Sequence, residues 1–146
     1  MNEIIVRLNQ HLNEVPKKLK AIPESELTKK PMPGKWSRKE VLGHLVDSAI
    51  YNIVRFTEAQ YLPQPYVVEG YAQDKLVAVN DYQNLPLEHI LLLWEKLNRQ
   101  IIFILERIPQ EKFQTPIIRK GEEKTLGWLA EDYVQHLEHH LAQVFF

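Results

Sequence analysis

The sequence predicts an all-α fold: a four-helix bundle in up-down-down-up order, with a long connection between helices 2 and 3. Three observations predict it. Apolar residues recur at three- to four-residue spacing in four separate stretches. The links within each half are short, while residues 62–86 form a long link that frees the third helix to run parallel to the second. No stretch shows period-2 alternation of any strength. At 146 residues the chain fits one domain, 1–146, large enough to bury a substantial core. Its 45% hydrophobic and 25% charged residues are ordinary globular composition, which excludes a disordered chain.

The first helix is expected over about residues 2–20, where Ile4, Ile5, Leu8, Leu12, Val15 and Leu19 form one apolar face. Pro16 lies inside it, and an interior proline usually kinks a helix. Residues 22–36, with three prolines and a glycine, read as a loop. Ser37-Arg38-Lys39-Glu40 is a capping box, so a second helix starts near Ser37 and runs to about Gln60. Pro63, Pro65, Gly70 and Pro86 bracket the long link, with a short helix expected around Asp74–Val79. The third helix spans about 87–107, with Pro86 suited to its first turn. Ile108-Pro109-Gln110-Glu111-Lys112-Phe113 then echoes Ile22-Pro23-Glu24-Ser25-Glu26-Leu27, a weak internal repeat of two helical hairpins. The fourth helix begins near Thr125 and runs towards the C-terminus.

Composition narrows the partners. A net charge of −1 with no Lys/Arg-rich run leaves no nucleic-acid footprint. The longest apolar runs, such as Ile90–Trp94, are too short to span a membrane. Residues 1–20 lack the apolar segment of a secretory signal, so a soluble cytoplasmic protein is expected. There are no cysteines. Disulfides, thiolate ligands and a cysteine nucleophile are therefore excluded, and any metal must be held by His, Asp or Glu.

The strongest functional signal is a histidine cluster in the fourth helix: His136, His139 and His140, three of the six histidines. At about 100° per residue from Leu126, the apolar arc of Leu129, Tyr133, Leu137, Leu141 and Val144 lies within roughly 60°. His140 then falls at about −40°, His136 at about −80° and His139 at about −140°. The inward pair is therefore His136 and His140, one turn apart, while His139 faces out. Such a pair suits a metal bound through imidazole nitrogen. It also suits two core histidines bonded to neighbouring helices, or a His-bearing helix end at the surface. The pattern is not the His-Glu-x-x-His of zinc proteases, because Leu137 follows His136. A third ligand must come from another helix: His44, Asp47, Glu40, His89 and His11 are candidates. On the second helix His44, Asp47, Ser48, Tyr51 and Arg55 share one side. That side reads either as a solvated face, the simpler reading, or as a polar stripe lining a cavity.

The stretch from Pro33 to Asp47, with Gly34-Lys35-Trp36-Ser37 opening a helix that carries His44, resembles the DinB/YfiT-like superfamily. His136-Leu137-Glu138-His139-His140-Leu141-Ala142-Gln143 is similar to that family's C-terminal His-x-x-x-His-x-x-Gln signature, and Tyr71-Ala72-Gln73-Asp74-Lys75 resembles the end of its middle connection. The likeness covers about Pro33 to Gln143. It implies a four-helix bundle with one divalent metal held by His44, His136 and His140. Imidazole ligands suit zinc or nickel first and iron next. The family includes thiol-dependent transferases and isomerases that use low-molecular-weight thiols, and others described as metal-dependent hydrolases. The resemblance thus implies a small-molecule metalloenzyme, a thiol-dependent S-transferase using an external thiol or a hydrolase. The other reading is a non-catalytic metal-binding or stress-related bundle. Asp47, Tyr51 and Arg55 are expected to support or gate the site from their shared face, and relatives of this kind permit a homodimer.

Overall fold

The computed structural model describes residues 1–145. Six helices carry the fold: α1 (Asn2–Lys20), α2 (Glu24–Leu27), α3 (Arg38–Glu58), α4 (Gln73–Asn80), α5 (Leu87–Arg107) and α6 (Leu126–Phe145). The four long ones lie where helical spacing puts them. Pro16 is accommodated within α1, which remains one helix, because its neighbours Leu12, Val15 and Leu19 are buried and hold both turns against the core. The capping box forms as expected: Ser37 Oγ accepts from the Glu40 N–H at 3.1 Å, and the Ser37 N–H donates to Glu40 Oε2 at 2.8 Å.

α3 packs against α5 and α6, and α1 packs against the same two helices. The core between them is mainly aliphatic, with two large aromatics fully enclosed, Trp94 on α5 and Phe56 on α3. Burying each leucine of such a core is worth about 1.5–3 kcal/mol. One polar pair is built into it: Tyr133 of α6 donates to Asn98 Oδ1 at 2.7 Å, and Asn98 Nδ2 donates back to the Trp94 carbonyl at 2.9 Å.

The expectation of no strands is corrected. A small sheet joins β1 (Tyr66–Val68), β2 (Pro116–Arg119) and β3 (Glu122–Thr125), in that order, with β1 parallel to β2 and β2 antiparallel to β3. Strands of three or four residues are too short to show alternation, and β3 is wholly polar. Lys120 and Gly121 both adopt positive φ, 52° and 79°, the backbone of a two-residue turn for which an X-Gly pair is the signal. The expected loop at 22–36 also contains α2. The repeated Ile-Pro segments become α2 in one copy and a 3₁₀ turn, Gln110–Gln114, in the other. Each turns one apolar side chain into the core, Leu27 and Phe113. Among the described residues no helix is long and apolar enough to cross a membrane.

Candidate metal centre

α3 and α6 bring His44, His136 and His140 together. The Nε2 atoms of His44 and His140 each lie 3.1 Å from His136 Nε2, and the nearest ring nitrogens of all three lie within 4.8 Å of one another. His44 is fully buried and the other two are half-buried. The third-ligand question is thereby narrowed. Glu40 is held in the capping box and by Lys30, His11 bonds Glu138 across to α6, and His89 is exposed. Asp47 points to another side, where it accepts from the Tyr82 hydroxyl at 2.5 Å and from Asn80 Nδ2 at 3.1 Å. His139 is exposed, as its helical phase indicates.

The solvated-face reading of α3 is overturned. His44, Asp47, Ser48 and Arg55 are all buried, and of that group Tyr51 reaches solvent. Helical phase says which side chains share a side, but it does not distinguish water from the packed polar interior between two helices. Gly43 explains part of the burial. The Tyr82 ring lies directly on it, and a Cβ there would come within 2.1 Å of that ring. The absence of a side chain lets the 82–84 turn lie on α3 and deliver Tyr82 to Asp47.

The donor set fits a cation. Burial, and then the proximity of His140 and His136, pushes His44 down to about 3; burial, then His140, His139 and Arg55, pushes His136 down to about 4. Burial also lowers His140, opposed by its bond to Gln143. All three imidazoles are therefore neutral at pH 7 and have a lone pair to give. Neutral rings clustered through Nε2 cannot all satisfy one another: with the His140 proton on Nδ1, one N–H between two Nε2 atoms pairs at most two of the three. Metal–nitrogen bonds of 2.0–2.1 Å would put neighbouring nitrogens about 3.3 Å apart in a tetrahedral site and about 2.9 Å apart in an octahedral one. The two separations from His136 Nε2, 3.1 Å each, lie between them, and the three donor atoms all lie within 4.8 Å of one another.

The outer nitrogens set the tautomers. His140 Nδ1 lies 2.9 Å from Gln143 Oε1, an acceptor, so the proton sits on Nδ1 and the Nε2 lone pair faces the cluster. The Gln143 amide nitrogen in turn faces His139 Nε2 at 3.3 Å. His136 Nδ1 faces Ser48 Oγ at 3.5 Å, and His44 Nδ1 is buried without a partner. The Trp36 ring covers His44 with centroids 4.8 Å apart. Sequence reasoning assigned no role to Trp36, Ser48 or Gln143. An amide three residues after an inward histidine was the available signal for Gln143. Beside His140 opens a cavity of about 950 Å³, whose lining includes Lys29, Lys35, Trp36, Asp74 and Gln143.

The fold recurs in known proteins. A protein of Oceanobacillus iheyensis named "Putative metal-dependent hydrolase" is 23% identical over 146 residues, covering 99% of this chain and 83% of its own. The solved structure of YfiT from Bacillus subtilis, described as "a probable metal-dependent hydrolase with an unusual four-helix bundle topology", matches with a TM-score of 0.87. It is 20% identical and covers 98% of this chain and 82% of its own. A mycothiol-dependent maleylpyruvate isomerase matches with a TM-score of 0.69 at 14% identity, over 96% of this chain but 59% of its own. At these identities the two structures show a shared bundle fold. The DinB superfamily model matches residues 7–144, nearly the whole bundle with both halves of the histidine cluster, and the chain therefore belongs to the DinB superfamily.

Proposed function

We propose that this protein is a metalloenzyme acting on small molecules, with one divalent metal held by His44, His136 and His140. The observation that carries the reading is the convergence of three neutral imidazoles through Nε2, beside a cavity large enough for a small substrate. When bound, the metal would supply Lewis acidity, with a full 2+ charge because three imidazoles add none. The chain's own residues do the rest. Gln143 and Ser48 hold the rings in register, and Trp36 shields His44 from water. Zinc or nickel suits the nitrogen set first, and iron next.

Two reaction classes fit: hydrolysis, and S-transfer from an external low-molecular-weight thiol. The first is supported by the names of the hydrolase-like relatives, and the second by the fold shared with a mycothiol-dependent isomerase. The complete lack of cysteine makes an external thiol necessary for the second. We take the protein to act in the cytoplasm, as a monomer or homodimer.

The same reading orders the long helices up-down-down-up, supported by contacts at their ends. Arg7 meets Glu131 while Lys18 lies over the Phe145 ring, so α1 and α6 advance together. Lys20 meets Glu88 while Met1 and Ile5 share a cavity with Leu105 and Ile108, so α5 opposes α1. Ser48 faces His136 and Phe56 faces Tyr133, so α3 opposes α6.

Turnover decides between the readings. Metal-loaded protein is assayed on a panel of activated esters and amides, and on a model electrophile with each of several thiols, before and after chelation. Chelator-sensitive turnover in either panel supports an enzyme. Stoichiometric metal, a melting temperature that drops on chelation, and no turnover in both panels would instead establish a non-catalytic metal-binding bundle.

A further inference from the structure

α3 carries a second unusual group, on the same stripe as the metal centre. His44, Ser48, Tyr51 and Arg55 stand at i, i+4, i+7 and i+11, and so line up along one side of the helix. Arg55 is 7% exposed. Its Nη2 donates to the Glu69 carbonyl, a neutral acceptor, and among the described residues no carboxylate oxygen lies within 4.0 Å of it. The guanidinium stands 5.4 Å from the centre of the Tyr71 ring, which is stacked on Tyr51 at 4.3 Å. Arg55 and Tyr51 line a cavity of about 520 Å³ together with Glu58, Tyr66 and Glu69. From Ser48, which faces His136, to Arg55 the helix advances about 10 Å.

A guanidinium has five N–H donors in a planar fork and never gives up its charge at neutral pH. Held against a single neutral carbonyl, Arg55 keeps most of those donors without a charged acceptor beside that cavity. Arg119 and Asp132 act on its charge, its own charge acts on His136, and Glu58 and Glu69 line the cavity beside it. Asp132 is exposed and makes no ion pair with it. Position, burial and donor count therefore all favour an incoming anion.

We infer that Arg55 is a substrate-binding residue: it takes the carboxylate or similar oxyanion of a small molecule entering the cavity beside Tyr51, on the side of α3 that also carries His44. This assigns a substrate class, small organic anions, and it rests on the metal-centre reading for the bound molecule being a substrate. The binding step itself needs no metal.

The test uses metal-free and metal-loaded protein separately. The Arg55 side-chain Nε–H resonance, identified by its loss in Arg55→Gln, is followed while acetate replaces chloride at constant ionic strength, with acetamide as the neutral control. Arg55→Gln removes both the charge and the bond to the Glu69 carbonyl, and Arg55→Lys keeps a charged donor of nearly the same reach, so the two together separate a structural bond from anion binding. The expected result is a saturable shift with acetate in both metal-free and loaded protein, and none with acetamide. Backbone amides of Tyr51 and Tyr71 should shift with the same midpoint in wild type and become at least about tenfold harder to titrate in Arg55→Gln. Arg55→Lys, which keeps the charge but loses the planar fork, should fall between. Equal responses to acetate and acetamide, or the same acetate midpoint in wild type and Arg55→Gln, would overturn the inference. A protein that binds no metal yet shows the acetate response would overturn the metal-centre reading and leave Arg55's role standing.

Discussion

α6 carries a polar cluster on each of two sides, and the two are built on opposite principles. Towards α1, Arg7 donates to Glu138 at 2.6 and 3.0 Å and to Glu131 at 2.8 Å, while His11 meets Glu138 at 3.0 Å. Every charge in that seam has an opposite charge, and the arginine holds both carboxyls below their usual range. Towards α3, His44, His136 and His140 bring together groups of the same kind with no acid among them. A cluster that satisfies itself fastens two helices. One whose lone pairs converge without a partner is shaped for something else, and this contrast, more than histidine count, locates the site.

The largest difference should appear on adding metal. A ligand bound only by the folded state at a thousandfold excess over its Kd adds about 4 kcal/mol of stability. His44→Ala, His136→Ala and His140→Ala should each abolish the rise in melting temperature seen with zinc or nickel, and Arg7→Ala should preserve it. Loss of the metal response in Arg7→Ala would erase the distinction between the two sides.

Gln143 is expected next. Removing the group that orients a ligand histidine typically lowers metal affinity about 10- to 100-fold. Gln143→Ala should therefore weaken binding, measured by competition with a chelating dye, without abolishing it.

Acid separates the two sides by pH window. The site histidines have folded values depressed below the ordinary 6.5, with His44 at about 3 and His136 at about 4. Their contribution to the metal-free protein is complete above pH 6.5. It is lost as pH falls towards those values, because the unfolded chain then takes up protons that the fold refuses. Glu131 and Glu138 are depressed from 4.5, so the seam loses its contribution only below that pH. The melting temperature of metal-free wild type should decline between pH 6.5 and 4.5, and the decline should be shallower in His44→Gln/His136→Gln but unchanged in Arg7→Ala.

The smallest effect is expected at His139. It lies against the His140 ring at 5.3 Å and bonds Gln143 but brings no ring nitrogen to the cluster, so His139→Ala should leave metal content nearly intact. Arg7→Ala, at a partly exposed seam, should cost about 1 kcal/mol by denaturant melting and leave metal content unchanged.

What was legible in the sequence follows from where periodicity carries information. The faces of α1, α3, α5 and α6 are buried over five turns or so, long enough for a 3.6-residue rhythm to stand out, and the same rhythm separated His136 and His140 from His139. β1 and β2 have too few residues to show any rhythm, and Glu122-Glu123-Lys124-Thr125 offers no buried face at all. His44 was ambiguous by phase because its stripe is polar, and resemblance to the DinB family supplied it. The burial of that stripe depends on Gly43 admitting Tyr82, a contact made by residues 39 positions apart with no local pattern to announce it.

The central claim is that the three Nε2 atoms share one metal ion. X-ray absorption at the metal edge, on protein purified without a polyhistidine tag and loaded with zinc or nickel, tests it most directly. About one metal per chain with three imidazole nitrogens at about 2.0–2.1 Å is the expected result. Metal content no higher than in His136→Ala/His140→Ala, or an environment of oxygens with fewer than three imidazoles, would contradict it.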